Sequence, residues 1–194
     1  RGSFGLGGIT GYLVDMLNAG CFSTLLDVQC FDLAAVESIR VNSNHREISA
    51  MQYASSASKS AAVDSLDVVI LGATEIDTNF NVNVHTGHDG AIMGGSGGHG
   101  DAAAGAKLSI IVAPSMRARL PLVTERVQCV STPGRHVDLL VTERGIAVNP
   151  ARPELAERLL DARLPVVDIR EIKDATERVT GVPAPRVMDE YIVA

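Results

Sequence analysis

Apolar residues along the chain follow two patterns, and their alternation predicts strands interleaved with helices. Continuous apolar runs at 67–71 and 108–113 predict strands buried on both faces, since such strands carry no polar alternation. Residues 81–85 alternate between polar and apolar side chains, which predicts a half-buried strand. The predicted strands are 22–28, 67–71, 81–85, 108–113, 121–131 and 137–142.

Helices are predicted from apolar spacing and from residues that begin or end helices. Apolar residues recur at helical spacing over 9–17, and Gly20 follows as a stop. A proline at its start predicts a helix at 153–162, and Asp168 with Glu171 resembles a capping box for another. The remaining predictions are a helix at 33–40, a loop at 1–8, and at 42–60 mostly loop that can include a short helix.

This interleaving predicts an α/β fold with an open, largely parallel sheet and flanking helices. The length of 194 residues indicates a single domain. We therefore expect one α/β domain over residues 1–194. Gly181, Pro183 and Pro185 end the regular structure, so residues 182–194 are expected to form an irregular tail.

Composition excludes several classes of function. The net charge is −6 and no long basic run is present, which argues against nucleic-acid binding. No run of eighteen apolar residues exists, so no membrane span is expected. The three cysteines form no C-x-x-C pair, which disfavours a disulfide framework or a zinc site and favours a reducing cytosol. His85 and His88 lack a third ligand at a standard spacing, so no metal site is predicted.

Glycines concentrate in two segments, six in residues 1–20 and eight in residues 87–105. The second segment contains the glycine loop (residues 94–99), which leads into Asp101, and Asp101 is predicted to cap a short Ala-rich helix. It matches neither the Walker pattern nor the Rossmann spacing. A turn of successive backbone amides can instead cradle a carboxylate, a developing oxyanion or a pantetheine-type arm.

Five segments, in order, carry a family resemblance: GGITGYLVDMLNAG (7–20), LLDVQCFDLAAVES (25–38), LDVVILGATEID (66–77), GGSGGHGDAAAGAKLSIIVA (94–113) and VDLLVTERGIAVNP (137–150). They resemble the later half of the citrate lyase alpha-chain family, which is related to the family I CoA-transferases. The resemblance covers roughly residues 2–175. It implies a CoA-transferase-like α/β fold, with this chain as the second such half of a longer chain.

The resemblance implies a transferase that exchanges acetate for citrate on a thioester, giving a citryl thioester and free acetate. The implied cosubstrate is CoA or the CoA-derived prosthetic arm of an acyl carrier subunit, and no cofactor is bound covalently. The implied partners are citrate, acetate, the acyl carrier subunit and the citryl lyase beta subunit, in a cytoplasmic multi-subunit complex.

The resemblance also suggests which residues act. In the related transferases a strand ends at a glutamate that carries the acyl group, and here Gln29 takes that position. A carboxamide is no nucleophile, so citrate would attack the acetyl thioester directly and Gln29 would orient the reactants. Gly97 and Gly98 join Gln29 as predicted catalytic residues. The predicted binding residues are Gly7, Gly8, Cys30, Glu75, Asn83, Gly94, Gly95, Ser96, His99 and Asp101.

Several alternatives stay open at this point. Cys30 is either a nucleophilic thiol or a small buried residue, and His99 either binds a carboxylate or faces solvent. Arg117 and Arg119 either bind citrate carboxylates or belong to an ordinary charged surface. For the whole chain, the alternatives are a CoA-transferase for another small carboxylic acid and a non-catalytic docking half-domain.

Overall fold

The computed structural model describes residues 1–55, 57–58 and 60–181. The chain divides into two compact units, the N-terminal unit (Arg1–Leu66) and the C-terminal unit (Asp67–Ala194). Each unit pairs its own strands and packs its own apolar cluster, and the single domain that the length indicates stays a prediction. The predicted irregular tail at 182–194 lies outside the described residues.

Among the described residues, the N-terminal unit has a three-stranded parallel sheet, three α-helices and a 3-10 helix (Ala62–Ser65). Its strands are β1 (Gly2–Ile9), β2 (Phe22–Cys30) and β3 (His45–Glu47), in the order β1-β2-β3. Its helices are α1 (Gly11–Asn18), α2 (Leu33–Val41) and α3 (Ala50–Ala54). The buried cluster consists of Ile9, Val14, Leu17, Leu25 and Ala35.

The predicted loop at 1–8 is wrong, since these residues form β1. The glycines of this strand serve close packing. A Cβ on Gly2 would stand 2.8 Å from the Phe22 ring, and one on Gly5 would stand 2.8 Å from Leu25. These glycines thus leave space for large side chains from the neighbouring strand. In the sequence alone, the same glycines indicate a loop.

Both predicted helices of this unit are confirmed. The Asp32 carboxylate accepts a hydrogen bond from the backbone N–H of Ala35 (2.8 Å), which caps α2, and another from Gly11 (2.7 Å). The segment 42–60, predicted to be mostly loop, also contains β3 and α3. A capping box between Ser49 and Gln52 starts α3.

The C-terminal unit has a five-stranded sheet in the order β13-β12-β11-β7-β4 and two small sheets, β10-β5-β6 and β8-β9. Its strands are β4 (Val69–Leu71), β5 (Glu75–Asp77), β6 (Val82–Asn83), β7 (Ser109–Val112), β8 (Met116–Arg117), β9 (Leu120–Pro121), β10 (Val123–Thr124), β11 (Leu139–Thr142), β12 (Gly145–Val148) and β13 (Val166–Val167). Its helices are α4 (His99–Gly105), α5 (Pro153–Asp161) and α6 (Ile169–Thr180).

In the five-stranded sheet only β11 and β12 pair antiparallel, so the predicted α/β fold with a largely parallel sheet is confirmed. The core contains Ile76, Phe80, Ile111, Leu140 and Ile172, among other apolar residues. No helix among the described residues combines the length and the apolar character that crossing a membrane requires.

Three details of the strand predictions are wrong. The strand at 67–71 is expected to be buried on both faces, yet β4 is an edge strand and Ile70 is 67% exposed. The segment 121–131 contributes only Pro121 to β9 and the two residues of β10. The predicted strand at 81–85 is limited to β6, because Asn83 turns the chain with its side chain.

Candidate functional site

A cavity of about 270 Å³ lies within the C-terminal unit. Most of its wall is apolar, and three ionisable side chains line it as well, namely Glu75, His88 and Arg117. The apolar and small lining residues are Ala73, Thr74, Gly87, Met93, Pro114, Ala118, Leu120, Pro121 and Leu122. A concave apolar surface with a few convergent polar groups is typical of a small-molecule site.

Glu75 and Asn83 are brought together as directly paired residues of β5 and β6. Glu75 is 2% exposed, and its Oε2 accepts a hydrogen bond from Nδ2 of Asn83 at 3.2 Å. The Asn83 amide also donates to Thr86 Oγ1, and its Oδ1 accepts from the backbone N–H groups of His85 and Thr86. Asn83 thus shapes the turn that follows β6.

This turn places His88 over Glu75. The His88 Nδ1 lies 3.1 Å from Glu75 Oε1. An ionised carboxylate only accepts hydrogen bonds, so we assign the proton of this bond to Nδ1. The arrangement orients an imidazole on the cavity wall by a buried carboxylate, a pairing that can hold or transfer a proton.

Arg117 reaches the cavity from the β8-β9 hairpin. Its side chain is exposed, and Ala118 after it adopts a positive φ of 54° that reverses the chain. Arg119 is exposed as well but does not line the cavity. A guanidinium can bind a carboxylate through two parallel hydrogen bonds. The structure therefore distinguishes two arginines that the sequence treats alike.

The glycine loop borders open space. A Cβ added to Gly94, Gly95 or Gly97 would meet no atom within 4 Å. Gly97 has a φ of +52°, a conformation that favours glycine. Gly98 is the N-cap of α4. A ligand can approach this backbone closely, and the predicted roles of Gly97 and Gly98 in binding an oxyanion stay predictions.

The predicted helix cap at Asp101 is wrong. The helix α4 begins at His99, so Asp101 is an exposed residue of its first turn. The first intrahelical hydrogen bond runs from the Ala102 backbone N–H to the Gly98 carbonyl oxygen (2.8 Å), which makes Gly98 the N-cap. An acidic side chain in the first turn still interacts favourably with the helix dipole.

His99 uses both ring nitrogens within the protein. Its Nε2 donates to the Gly72 carbonyl oxygen (2.8 Å), and its Nδ1 lies 2.7 Å from the hydroxyl of the fully buried Thr132. Burial lowers the pKa of His99, which favours the neutral ring, and this ring then accepts the Thr132 proton. His99 therefore anchors the loop, and a carboxylate ligand would have to displace one of these bonds.

The segment around Ser131 supports the same loop. His85 Nδ1 lies 2.6 Å from the Ser131 hydroxyl, which also accepts from the backbone N–H of Val84 (2.9 Å). The positive charge of a protonated His85 contributes to lowering the pKa of His99. Sequence reasoning does not find Ser131 and Thr132, because single hydroxyl residues in a loop carry no motif.

The other predicted residues lie in the N-terminal unit, Gly7 and Gly8 at the end of β1, and Gln29 and Cys30 at the end of β2. Gln29 is exposed and pairs with Gly8 of β1, while Gly7 pairs with Asp27. One residue of β1 thus spans two of β2, which defines a β-bulge at Val28. Gly7 has a φ of +114°, so the bulge uses a backbone conformation that favours glycine.

Cys30 is not a ready nucleophile. Its Sγ donates a hydrogen bond to Asp27 Oδ2 at 2.9 Å. Burial and this carboxylate raise the pKa of the Cys30 thiol to about 11. The thiol is therefore protonated at neutral pH, which favours the reading of Cys30 as a packing residue. Within the described residues, no group of three or more His, Cys, Asp or Glu side chains is placed to hold a metal ion.

Comparisons of sequence identify relatives. The family model described as citrate lyase, alpha subunit (CitF) matches residues 1–194. The chain is 54% identical over 194 residues to the citrate lyase alpha chain of Escherichia coli K12, covering all of this chain and 38% of that protein. It is 52% identical over 192 residues to the Klebsiella pneumoniae protein of that name, covering 99% of this chain and 38% of that protein. The chain thus spans less than half the length of these relatives.

Comparisons of structure agree. The alpha subunit of citrate lyase from Streptococcus mutans, solved in complex with citrate, is 46% identical with a TM-score of 0.90, over 94% of this chain and 36% of that one. RipA from Yersinia pestis has a TM-score of 0.58 at 20% identity, over 89% of this chain and 43% of that one. The alpha subunit of an Acinetobacter baumannii malonate decarboxylase has a TM-score of 0.58 at 14% identity, over 94% of this chain and 38% of that one. The last two similarities concern the fold alone.

Proposed function

We propose, from the premise that this chain belongs to the citrate lyase alpha-subunit family, that it contributes to a site where citrate replaces acetate on a thioester. The observation that carries the proposal is its 46% identity and TM-score of 0.90 to a citrate lyase alpha subunit solved with citrate. The chain spans only part of such proteins, so the complete activity requires the remaining part of a full-length alpha subunit.

The proposed reaction conserves the thioester through two acyl transfers. A citrate carboxylate attacks the carbonyl carbon of the acetyl thioester, and the thiolate leaves, which gives an acetyl–citryl anhydride. The thiolate then attacks the citryl carbonyl, and acetate leaves with the bridging oxygen. The thiol belongs to CoA or to the CoA-derived arm of an acyl carrier subunit. A citryl lyase beta subunit would then cleave the citryl thioester in a multi-subunit complex.

The cavity of the C-terminal unit supports a carboxylate substrate. Arg117 supplies a permanent positive charge on its wall, and Glu75 orients the His88 ring, whose Nε2 donates to a carboxylate when both ring nitrogens carry a proton. We propose that citrate carboxylates contact Arg117 and His88. Glu75 is then a positioning residue, because its oxygens accept hydrogen bonds from Asn83 and His88.

The remaining roles follow from backbone and strand positions. The amides of Gly97 and Gly98 would stabilise negative charge on the thioester oxygen during attack, since preorganised donors act most strongly on charge that develops in the transition state. Gln29 is exposed at the end of β2 and carries a carboxamide, so it would orient reactants without forming a covalent intermediate.

The test follows the exchange with labelled citrate. The purified chain is incubated with acetyl-CoA and ¹³C-citrate, alone and with the part of a full-length relative that it does not match. Mass spectrometry measures citryl-CoA and acetate, and parallel reactions use malonate and succinate. Citryl-CoA formed in preference to the other thioesters supports the proposal. Turnover with another acid but not with citrate indicates a different CoA-transferase, and no product with any acid indicates a docking module.

A further inference from the structure

The end of β2 contains a side-chain network that the proposed reaction does not use. It joins three elements of the N-terminal unit. His45 Nε2 lies 3.0 Å from Asp27 Oδ2, and His45 Nδ1 lies 2.9 Å from the Ser38 hydroxyl. The same Asp27 oxygen accepts the Cys30 thiol at 2.9 Å. Asp27, His45 and Ser38 are 2%, 3% and 6% exposed, so this part of the network is buried, while Cys30 is half-buried.

The hydrogen bond between Cys30 and Asp27 has an unusual geometry for one strand. Side chains three positions apart in a regular strand point to opposite faces. The bulge at Val28 adds one residue, which returns Cys30 to the face of Asp27. Bulges are rare in parallel pairs. The hydrogen bond therefore forms only when the bulge is present.

The bulge also determines which face of β2 the Gln29 side chain occupies. Leu25 and Asp27 both lie on the buried face of β2, and continued alternation of the side chains would place Gln29 on that face as well. Gln29 is instead exposed, and Cys30 is half-buried. The added residue at Val28 reverses the alternation at this point. The exposure of the carboxamide is thus a consequence of the bulge.

The Asp27 carboxylate is costly as a purely structural group. Among the described residues its Oδ1 has no hydrogen-bond partner, although it is buried. A buried polar oxygen without a hydrogen-bond partner lowers stability. The Oδ2 atom of the carboxylate is within hydrogen-bond distance of both Cys30 Sγ and His45 Nε2, and it therefore holds these two side chains next to each other.

We propose that Asp27, His45 and Cys30 are positioning residues, which stabilise the β2 bulge and so keep the Gln29 carboxamide exposed, as its proposed role requires. This inference rests on the proposed function for the role of Gln29, while the geometry stands independently of it. The hydrogen bond from Cys30 is the contact that links the residues before and after the bulge.

The first experiment measures the geometry without enzymatic activity. Gln29→Cys is introduced in a chain with Cys21→Ser and Cys129→Ser, combined with either Cys30→Ser or Cys30→Val. Serine can donate to Asp27 and valine cannot. We expect the introduced thiol to react with a water-soluble disulfide reagent about tenfold more slowly beside Cys30→Val than beside Cys30→Ser. Equal rates overturn the proposal.

Controls separate a local effect from unfolding. Ser23→Cys places a thiol at an exposed position of β2 before the bulge, and its rate should be equal in both backgrounds. If Cys30→Val unfolds the chain, Gly7→Ala replaces it, because alanine disfavours the φ of +114° that the bulge uses. Slower reaction of the Gln29→Cys thiol in Gly7→Ala supports the proposal, and an unchanged rate overturns it.

The second experiment uses the exchange reaction. We expect kcat to fall about tenfold in Cys30→Val with little change in the KM for citrate, and Cys30→Ser to restore most of it. Equal kcat values in both variants overturn the positioning role. If the unmodified chain shows no turnover when it is supplied with the part of a full-length relative that it does not match, this result contradicts the proposed function alone. The reaction rates of the introduced thiol then test the bulge geometry independently.

Discussion

The imidazole of His99 donates a hydrogen bond from Nε2 to the carbonyl oxygen of Gly72, over 2.8 Å and 27 residues of sequence. Its other nitrogen meets the buried Thr132 hydroxyl. The bond ties the start of α4 to the residue that follows β4. Because the glycine loop ends at His99, its last residues have a fixed anchor while Gly94, Gly95 and Gly97 border open space.

Replacing His99 should change both stability and its pH dependence. His99→Phe removes both hydrogen bonds, and we expect a loss of about 1–3 kcal/mol in the free energy of unfolding at pH 7. Burial lowers the pKa of His99 below its ordinary value of 6.5. Its contribution is therefore complete above pH 6.5 and is lost as the pH falls through the lowered pKa.

Urea denaturation of both proteins at pH 7.5 and pH 5.5 measures this effect. The stability of the unmodified chain should fall more between these values than that of His99→Phe. An equal fall in the two proteins would show that His99 is not held in its neutral form by the fold.

Two glycines of the loop should respond differently to alanine. Gly97→Ala forces a side chain into a φ of +52°, which should lower the free energy of unfolding by about 1 kcal/mol. Gly94→Ala adds a methyl group into open space without that backbone conformation, so its stability should change little. Thermal or urea unfolding compares the two. Equal losses would contradict the assignment of backbone strain to Gly97.

Arg117 should contribute to citrate affinity, and Arg119 should not. Both are exposed in the same hairpin, but only Arg117 lines the cavity. We expect Arg117→Gln to weaken citrate binding roughly tenfold or more, the effect of losing a charge-assisted contact. Calorimetric titration of citrate into each variant measures the Kd, with Arg119→Gln as the matched control. Similar affinities for the two variants would place the carboxylates elsewhere.

The Cys30 thiol should be unreactive in the folded chain. Burial and Asp27 raise its pKa from 9.0 to about 11, which leaves about 100-fold less thiolate at pH 8 than in the unfolded chain. Alkylation with iodoacetamide, followed by mass spectrometry of the Cys30 peptide, compares native protein with protein in urea. The native rate should be lower by about that factor. Similar rates in the two conditions would refute the hydrogen bond to Asp27.

Much of the fold could be predicted from apolar patterning. The helices α1 and α2 and the central strand β7 lie where the spacing predicts them. Their signals are local, since each element carries an apolar stripe or run and an end signal. The strand β1 was not predicted, because its glycines leave space for Phe22 and Leu25 of β2. This packing depends on the pairing of the two strands and is not visible in the local sequence of β1.

The site was predicted only in part. Glu75 and Asn83 are both among the predicted binding residues, and the structure pairs them directly. His88 joins them through a turn that the sequence does not predict. Asp27 and His45 lie 18 residues apart and meet only through the pairing of β2 with β3. Contacts of this kind depend on strand register, which leaves no mark at either residue alone.

The most direct test follows the transfer of one carboxylate oxygen atom from citrate to acetate. Citrate labelled with ¹⁸O in its carboxylates is mixed with acetyl-CoA and an excess of the chain, supplied with its complement, for a single turnover. Direct attack by citrate transfers one labelled oxygen to acetate, because acetate leaves the anhydride with the bridging atom. We predict acetate with one ¹⁸O in that first turnover. Unlabelled acetate formed together with citryl-CoA would contradict direct attack and would show that a protein carboxylate accepts the acetyl group first.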